Sequence, residues 1–208
     1  MNREVMVSTQ IEMRGITNPA VLAAMRKVQR DKLVPDKLRL SAYADTPLPI
    51  GAGQTISQPY IVAYMTELLN PCSTGRILEI GTGSGYQAAI LAEIVKEVYT
   101  IELIPALAER ARANLEAMGY CNIHFRNGDG GFGWPEEAPF DGIIVTAAAN
   151  EIPKPLIAQL KPGARMVIPL GAPDQIQSLA VMTRNDETFE MEETIGVRFV
   201  PMTGITQQ

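Results

Sequence analysis

From Arg76 to Pro169 short runs of β-forming residues alternate with stretches of helical periodicity, and this rhythm limits the fold more than any other feature of the chain. The β-runs are Arg76 to Ile80, Glu97 to Ile101, Ile123 to Arg126, Phe140 to Val145 and Arg165 to Pro169. Helical patterns fill Tyr86 to Val95, Ile104 to Met118 and Pro153 to Leu160. Strands joined through helices pair in parallel, because each crossover returns the chain to the same end of the sheet. The expectation is an α/β fold, doubly wound around a mostly parallel sheet, with ligands beyond the carboxyl ends of the strands. After Gly171 the character changes. Leu179 to Thr183 and Glu190 to Phe199 flank Arg184-Asn185-Asp186-Glu187, which predicts a tight turn and an antiparallel strand pair at the end of the sheet.

Ahead of the sheet lies an N-terminal helical extension. Val21, Leu22, Met25 and Val28 are spaced for a helix that starts at Asn18 and runs to Lys27, and prolines punctuate Pro35 to Pro49. Ser57 to Leu69 reads as a second helix, with Ser57 as N-cap and Pro59 in the first turn. A chain of 208 residues can bury one substantial core, so one domain is expected: an extension over 1–70 and a ligand-binding core with its terminal strands over 71–208. The net charge of −5 and the lack of any Lys/Arg run give no footprint for a nucleic-acid backbone. No stretch reaches the roughly 18 apolar residues of a membrane span, and Met1 to Gly15 lacks the apolar centre of a signal peptide. A cytoplasmic protein is expected. Cys72 and Cys121 stand apart, without a CxxC or Cys/His cluster, so no metal site is expected.

The strongest local motif is Glu79-Ile80-Gly81-Thr82-Gly83-Ser84-Gly85-Tyr86, at the junction of the first strand and its helix. Glycines there let the backbone approach a ligand and open a helix N-terminus toward it. About twenty residues past the loop, the second strand ends at Glu102, where a carboxylate can accept from both hydroxyls of an adenosine ribose. The spacing is Gly-x-Gly-x-Gly, whereas a dinucleotide site would show Gly-x-Gly-x-x-Gly and make room for a pyrophosphate. S-adenosylmethionine, which carries no phosphate, fits these residues better than NAD. Asn127-Gly128-Asp129-Gly130, at the end of the third strand, offers a further carboxylate at adenine height.

These motifs, together with the segments GQTISQP (Gly53 to Pro59) and VPMTG (Val200 to Gly204), resemble the protein-L-isoaspartate O-methyltransferase family in order and spacing from about Ala20 to Gly204. The glycine loop is shared by many methyltransferases; the two other segments are particular to this family. The resemblance implies the class I, Rossmann-like methyltransferase fold and transfer of a methyl group from S-adenosyl-L-methionine to the free carboxylate of isoaspartyl proteins and peptides, with S-adenosyl-L-homocysteine as product. It implies that Ser57 lies at the catalytic centre and that Gln54, Thr55, Ile56, Val200, Pro201 and Thr203 line the substrate cleft. It implies a cofactor site made of Glu79, Gly81, Thr82, Gly83, Ser84, Gly85, Glu102, Leu103, Gly128, Asp129, Gly130 and Thr146. The chain departs from the family at Val28-Gln29-Arg30, at Leu33 before Val34-Pro35 and at Ala52, positions that bear on N-terminal packing and the rim of the substrate loop.

The chemistry needs little more than this. A carboxylate with a pKa of about 4 is ionised at neutral pH, so no general base is required. One histidine, His124 in a β-run, is read as structural. The same scarcity disfavours a Ser-His-Asp hydrolase. Methylation of another nucleophile is the alternative activity, but Val145-Thr146-Ala147-Ala148-Ala149 stands where an amino-methylating enzyme would show Asn/Asp-Pro-Pro-Tyr. A cofactor-binding module without activity would not need the two substrate segments.

Overall fold

The computed structural model describes residues 2–172, 174–185 and 188–204. Its N-terminal part holds helices α1 (Arg3–Met6) and α2 (Pro19–Lys27), strands β1 (Leu48–Gly51) and β2 (Gln54–Ile56), and helix α3 (Pro59–Leu69). Strand β3 (Arg76–Ile80), helix α4 (Tyr86–Ala92), strand β4 (Glu97–Glu102), helix α5 (Pro105–Ala117) and strand β5 (Ile123–Asn127) follow. The remainder is strand β6 (Phe140–Val145), helix α6 (Lys154–Ala158), and strands β7 (Leu160–Leu170), β8 (Gln177–Asn185) and β9 (Thr188–Val197).

Seven strands form one sheet in the order β5-β4-β3-β6-β7-β8-β9. Pairing is parallel from β5 to β7 and antiparallel from β7 to β9. The alternation of side chains along each strand divides the core in two. Ile77, Val98, Ile144 and Val167 pack with the N-terminal extension and α2 to α5, while Leu78, Ile101, Ile143, Val145 and Met166 pack with Leu156 of α6. Helices thus cover both faces, as a parallel sheet requires, although the second face carries only the short α6 and two 3-10 turns, Gly130–Phe132 and Pro135–Glu137. The chain starts in the middle of the sheet, winds out through β4 to β5, then crosses to β6 on the other side of β3. Beyond the ends of β3 and β6 the connections therefore diverge and leave a crevice.

Three local expectations are corrected, the simplest being the helix expected over Tyr86 to Val95, which ends at Ala92. Ser57 does not cap α3: Gln58 holds the N-cap position and makes no capping bond with its own side chain. Proline disfavours helical backbone in the residue before it, so the helix starts at Pro59 and the cap falls one residue later than Ser57. Asp45 takes over the capping work from a distant loop. Tyr60 N–H donates to Asp45 Oδ1 at 3.4 Å, and Gln58 Nε2 donates to Asp45 Oδ2 at 2.7 Å. The helical pattern after Pro153 also ends early, at Ala158, and Leu160 already belongs to β7. Pro162 restrains Lys161 to extended backbone, and the chain enters the sheet there. At the end of the sheet Asn185 pairs with Thr188, while Asp186 and Glu187 of the expected turn lie outside the described residues.

Candidate active site

The crevice at the ends of β3, β4 and β6 is shaped by hydrogen bonds within the glycine loop. Gly81 N–H donates to Ile101 O at 2.8 Å, and Gly83 N–H donates to Glu102 Oε2 at 2.8 Å. Gly81 has φ +96, and a Cβ there would stand 2.5 Å from Thr146 Oγ1. No other residue type can hold that turn against β6. The Thr146 hydroxyl donates to Gly81 O at 2.6 Å, which fixes the loop from the opposite strand. Glu102 binds the backbone with both oxygens, accepting from Ile104 N–H at 2.9 Å as well as from Gly83, and each oxygen keeps a further lone pair.

Glu79 lies fully buried beneath the loop. Thr100 Oγ1–H donates to its Oε2 at 2.5 Å, and since that hydroxyl has one proton, Thr82 is the donor in the 2.6 Å bond to Thr100. Desolvation pushes the Glu79 carboxyl up to about 8, so it is largely neutral at pH 7. The other oxygen, Oε1, has no protein partner, and neither does the buried Oε1 of Gln87, whose amide donates to Thr66 Oγ1 at 2.9 Å.

The cleft is open to solvent and is lined from both the N-terminal extension and the sheet. It gathers all the expected substrate residues, Gln54, Thr55, Ile56, Val200, Pro201 and Thr203, with Ser57 on the same wall. Of the expected cofactor residues it is lined by Glu79, Gly81, Thr82, Gly83, Ser84, Glu102, Leu103, Gly130 and Thr146. Gly85, Gly128 and Asp129 do not line it. Gly85 starts α4 with φ +85 and packs on Leu115 of α5; Gly128 N–H donates to Glu102 O at 3.0 Å. Asp129 Oδ1 accepts from Gly131 N–H at 2.9 Å, and Gly204 closes on the same carboxyl group. Gln87, Ile104 and Ala147 also line the cleft, without a motif in the sequence to mark them. Each is an ordinary helix or loop residue, and only the tertiary fold turns it inward.

Ser57 Oγ makes no hydrogen bond with any described residue, because Asp45 has replaced it at the helix start. His124 lies elsewhere, half exposed on β5 and stacked on Tyr99 at 4.6 Å. The only ionisable acids and bases lining the cleft, apart from Tyr86, are Glu79 and Glu102; no Lys, Arg or His does so among the described residues. A pyrophosphate would find no cation here, whereas the cationic sulfonium and ammonium of S-adenosylmethionine would meet the Glu102 carboxylate, the unpartnered Gln87 Oε1 and the polar Glu79 carboxyl. The residues present fit that cofactor.

A parallel sheet with a crevice at its reversal point, a glycine loop opened toward it and acids at two strand ends define a class I S-adenosylmethionine-dependent methyltransferase. Within that class, the model of the protein-L-isoaspartate(D-aspartate) O-methyltransferase family matches residues 1–207, and the chain belongs to that family. It is 55% identical over 202 residues to protein-L-isoaspartate O-methyltransferase 2 of Shewanella sediminis, covering 97% of this chain and 83% of the relative. A solved protein-L-isoaspartate O-methyltransferase superposes with a TM-score of 0.88 at 27% identity, over 98% of this chain and 66% of that longer one. A Plasmodium falciparum homologue, solved in complex with S-adenosyl-L-homocysteine, gives 0.85 at 25% identity over 98% of this chain and 99% of its own. Among the described residues no helix is long and apolar enough to cross a membrane.

Proposed function

We propose that the chain, acting as one domain in the cytoplasm, methylates the free carboxylate of L-isoaspartyl residues, and of D-aspartyl residues to which the family description extends, in damaged proteins and peptides. Nucleic acid, membrane and metal have no part in this reading. S-adenosylmethionine supplies the electrophilic methyl group when bound. Glu102 and the Gly81–Ser84 stretch of the loop hold its nucleoside, Leu103 and Gly130 flank it, and Glu79 with Gln87 faces its amino-acid end. Thr146, whose proton is committed to Gly81 O, keeps the loop in place.

The observation that carries the acceptor side is the uncommitted Ser57 hydroxyl on the wall shared with Thr55 and Val200. It can donate to an incoming carboxylate and set its attacking oxygen in line with the methyl group. The acceptor is ionised at neutral pH, so these residues need to move no proton; they orient it and exclude water. Orientation alone can contribute up to about 7 to 11 kcal/mol in favourable cases. Gln54, Ile56, Pro201 and Thr203 complete the wall around it.

The test is transfer of labelled methyl from S-adenosylmethionine to paired peptides that differ only in Asp versus isoAsp. Strong preference for isoAsp is expected. Equal labelling of both peptides, or of neither, would refute the reading.

A further inference from the structure

A second cleft opens from the first and shares with it Thr55, Ser57, Thr146 and Val200. Pro47, Ile61, Ile176 and Phe199 give it an apolar lining beside the polar Thr55, Ser57, Gln58 and Thr146. Ile176, which is 66% exposed, is one of few large apolar side chains left at the surface. Among the described residues Arg198 is the one charged group lining this cleft.

Arg198 differs from every other arginine of the chain. Arg3, Arg30, Arg110, Arg112, Arg165 and Arg184 donate to backbone carbonyls. Arg14, Arg26, Arg39, Arg76 and Arg126 pair with carboxylates. Arg198 is exposed and makes neither kind of contact with any described residue. Its backbone is nevertheless held on both sides, on the N-terminal side by the pairing of Val197 with Gln177 in the sheet. Gln177 Oε1 accepts from Phe199 N–H at 2.8 Å while its buried amide donates to Ala172 O and Gln175 O, each at 3.1 Å. Ala148 N–H then donates to Val200 O at 2.9 Å, and Met202 N–H to Ala148 O at 2.7 Å. A cation without a partner among the described residues, on a fixed segment beside a partly apolar cleft, is arranged to meet an anion from outside.

We propose that the outer cleft receives the residues flanking the methyl acceptor, and that Arg198 selects peptides carrying an Asp or Glu side chain near the isoaspartyl residue; this rests on the isoaspartyl reading above. Val200 lines both clefts and stands two residues from Arg198, about 7 Å along extended backbone. In an extended peptide alternate side chains share a face at the same spacing. The matching carboxylate is therefore expected one or two residues from the acceptor. The pair is solvent-exposed, so its effect is modest and falls as salt screens it.

The experiment measures kcat/KM on isoaspartyl peptides in which a single Glu, Gln or Lys is moved through the three positions on either side of isoAsp. Wild type is compared with Arg198→Gln and Arg198→Glu at low and high salt. At one position Glu should exceed Gln by about two- to fivefold in wild type. That ratio should fall to one in Arg198→Gln, turn in favour of Lys in Arg198→Glu, and shrink at high salt. Unaltered ratios at every position would overturn the proposal. So would a uniform loss on all peptides, which would mean that Arg198 holds the reacting carboxylate instead. Failure of wild type to methylate any isoaspartyl peptide would refute the reaction itself, and the subsite with it.

Discussion

Glu102 accepts from two backbone N–H groups before any ligand arrives, and its side chain is 7% exposed at the cleft. One carboxylate thus shapes the glycine loop and, in our reading, offers its remaining lone pairs to the ribose. Glu102→Ala should weaken S-adenosylmethionine binding by about ten- to 150-fold, the equivalent of roughly 1.5 to 3 kcal/mol of charge-assisted hydrogen bonding. Calorimetric titration checks this, and unchanged affinity would remove Glu102 from the ribose site. Ser57→Ala separates two readings in the same manner. Because Gln58 and Asp45 start the helix, the melting temperature should not move, whereas turnover should fall by an amount that approaches the hundredfold typical of a lost transition-state donor. A clear loss of stability with normal turnover would return Ser57 to a capping role. Glu102 was legible in the sequence because an acid at a strand end, one helix past a glycine loop, has a chemical reason to be there. Gln87 and Gln177 were not, since an isolated glutamine reads as surface until packing buries it and leaves it to be satisfied.

The elements that carry the substrate residues show a different strain. The β1–β2 hairpin turns through Gly51, Ala52 and Gly53, all with positive φ, and Ala52 at φ +52 is the residue that pays for it. A left-handed conformation costs an L side chain about 1 to 2 kcal/mol. Ala52→Gly should therefore stabilise the protein by a fraction of that, roughly 0.5 to 1 kcal/mol once the greater freedom of glycine in the unfolded chain is subtracted. Chemical denaturation measures it, and a destabilised variant would show that the methyl group makes a contact outweighing the strain. The sequence marks Ala52 only as a departure from the family pattern, because φ cannot be read from a residue type. Most strands and helices of the core were legible from periodicity alone. The exceptions include the start of α3 and the end of α6, near Pro59 and Pro162, where the restraint that proline puts on its predecessor decides the boundary, and α4, which stops at Ala92, short of the expected Val95.

Across the whole molecule the buried acid Glu79 links stability to pH. Its carboxyl is held at about 8 by desolvation, against about 4.3 in an unfolded chain. Below the unfolded value both states carry the proton and the group contributes no pH dependence. Between the two values the folded protein keeps a proton that the unfolded chain has released. Stability attributable to this group therefore declines as pH rises, by up to about 1.4 kcal/mol per pH unit, and levels off above the folded value. Other carboxylates act in the opposite sense, such as Asp141, where burial pushes the carboxyl up but the hydrogen bonds from Lys161 at 2.7 Å and from Arg76 N–H at 2.9 Å together hold it below its ordinary value. The contribution of Glu79 is isolated by comparison with Glu79→Gln, which keeps the shape and the bond from Thr100 but cannot ionise. Without cofactor, the stability of Glu79→Gln relative to wild type should be constant below about pH 4.3, rise in its favour up to about pH 8, and then stay level. Denaturant unfolding of both proteins at a series of pH values measures that difference. Parallel curves across the range would mean that Glu79 is ionised in the folded protein at neutral pH, and that the chain from Thr82 through Thr100 stabilises a buried carboxylate.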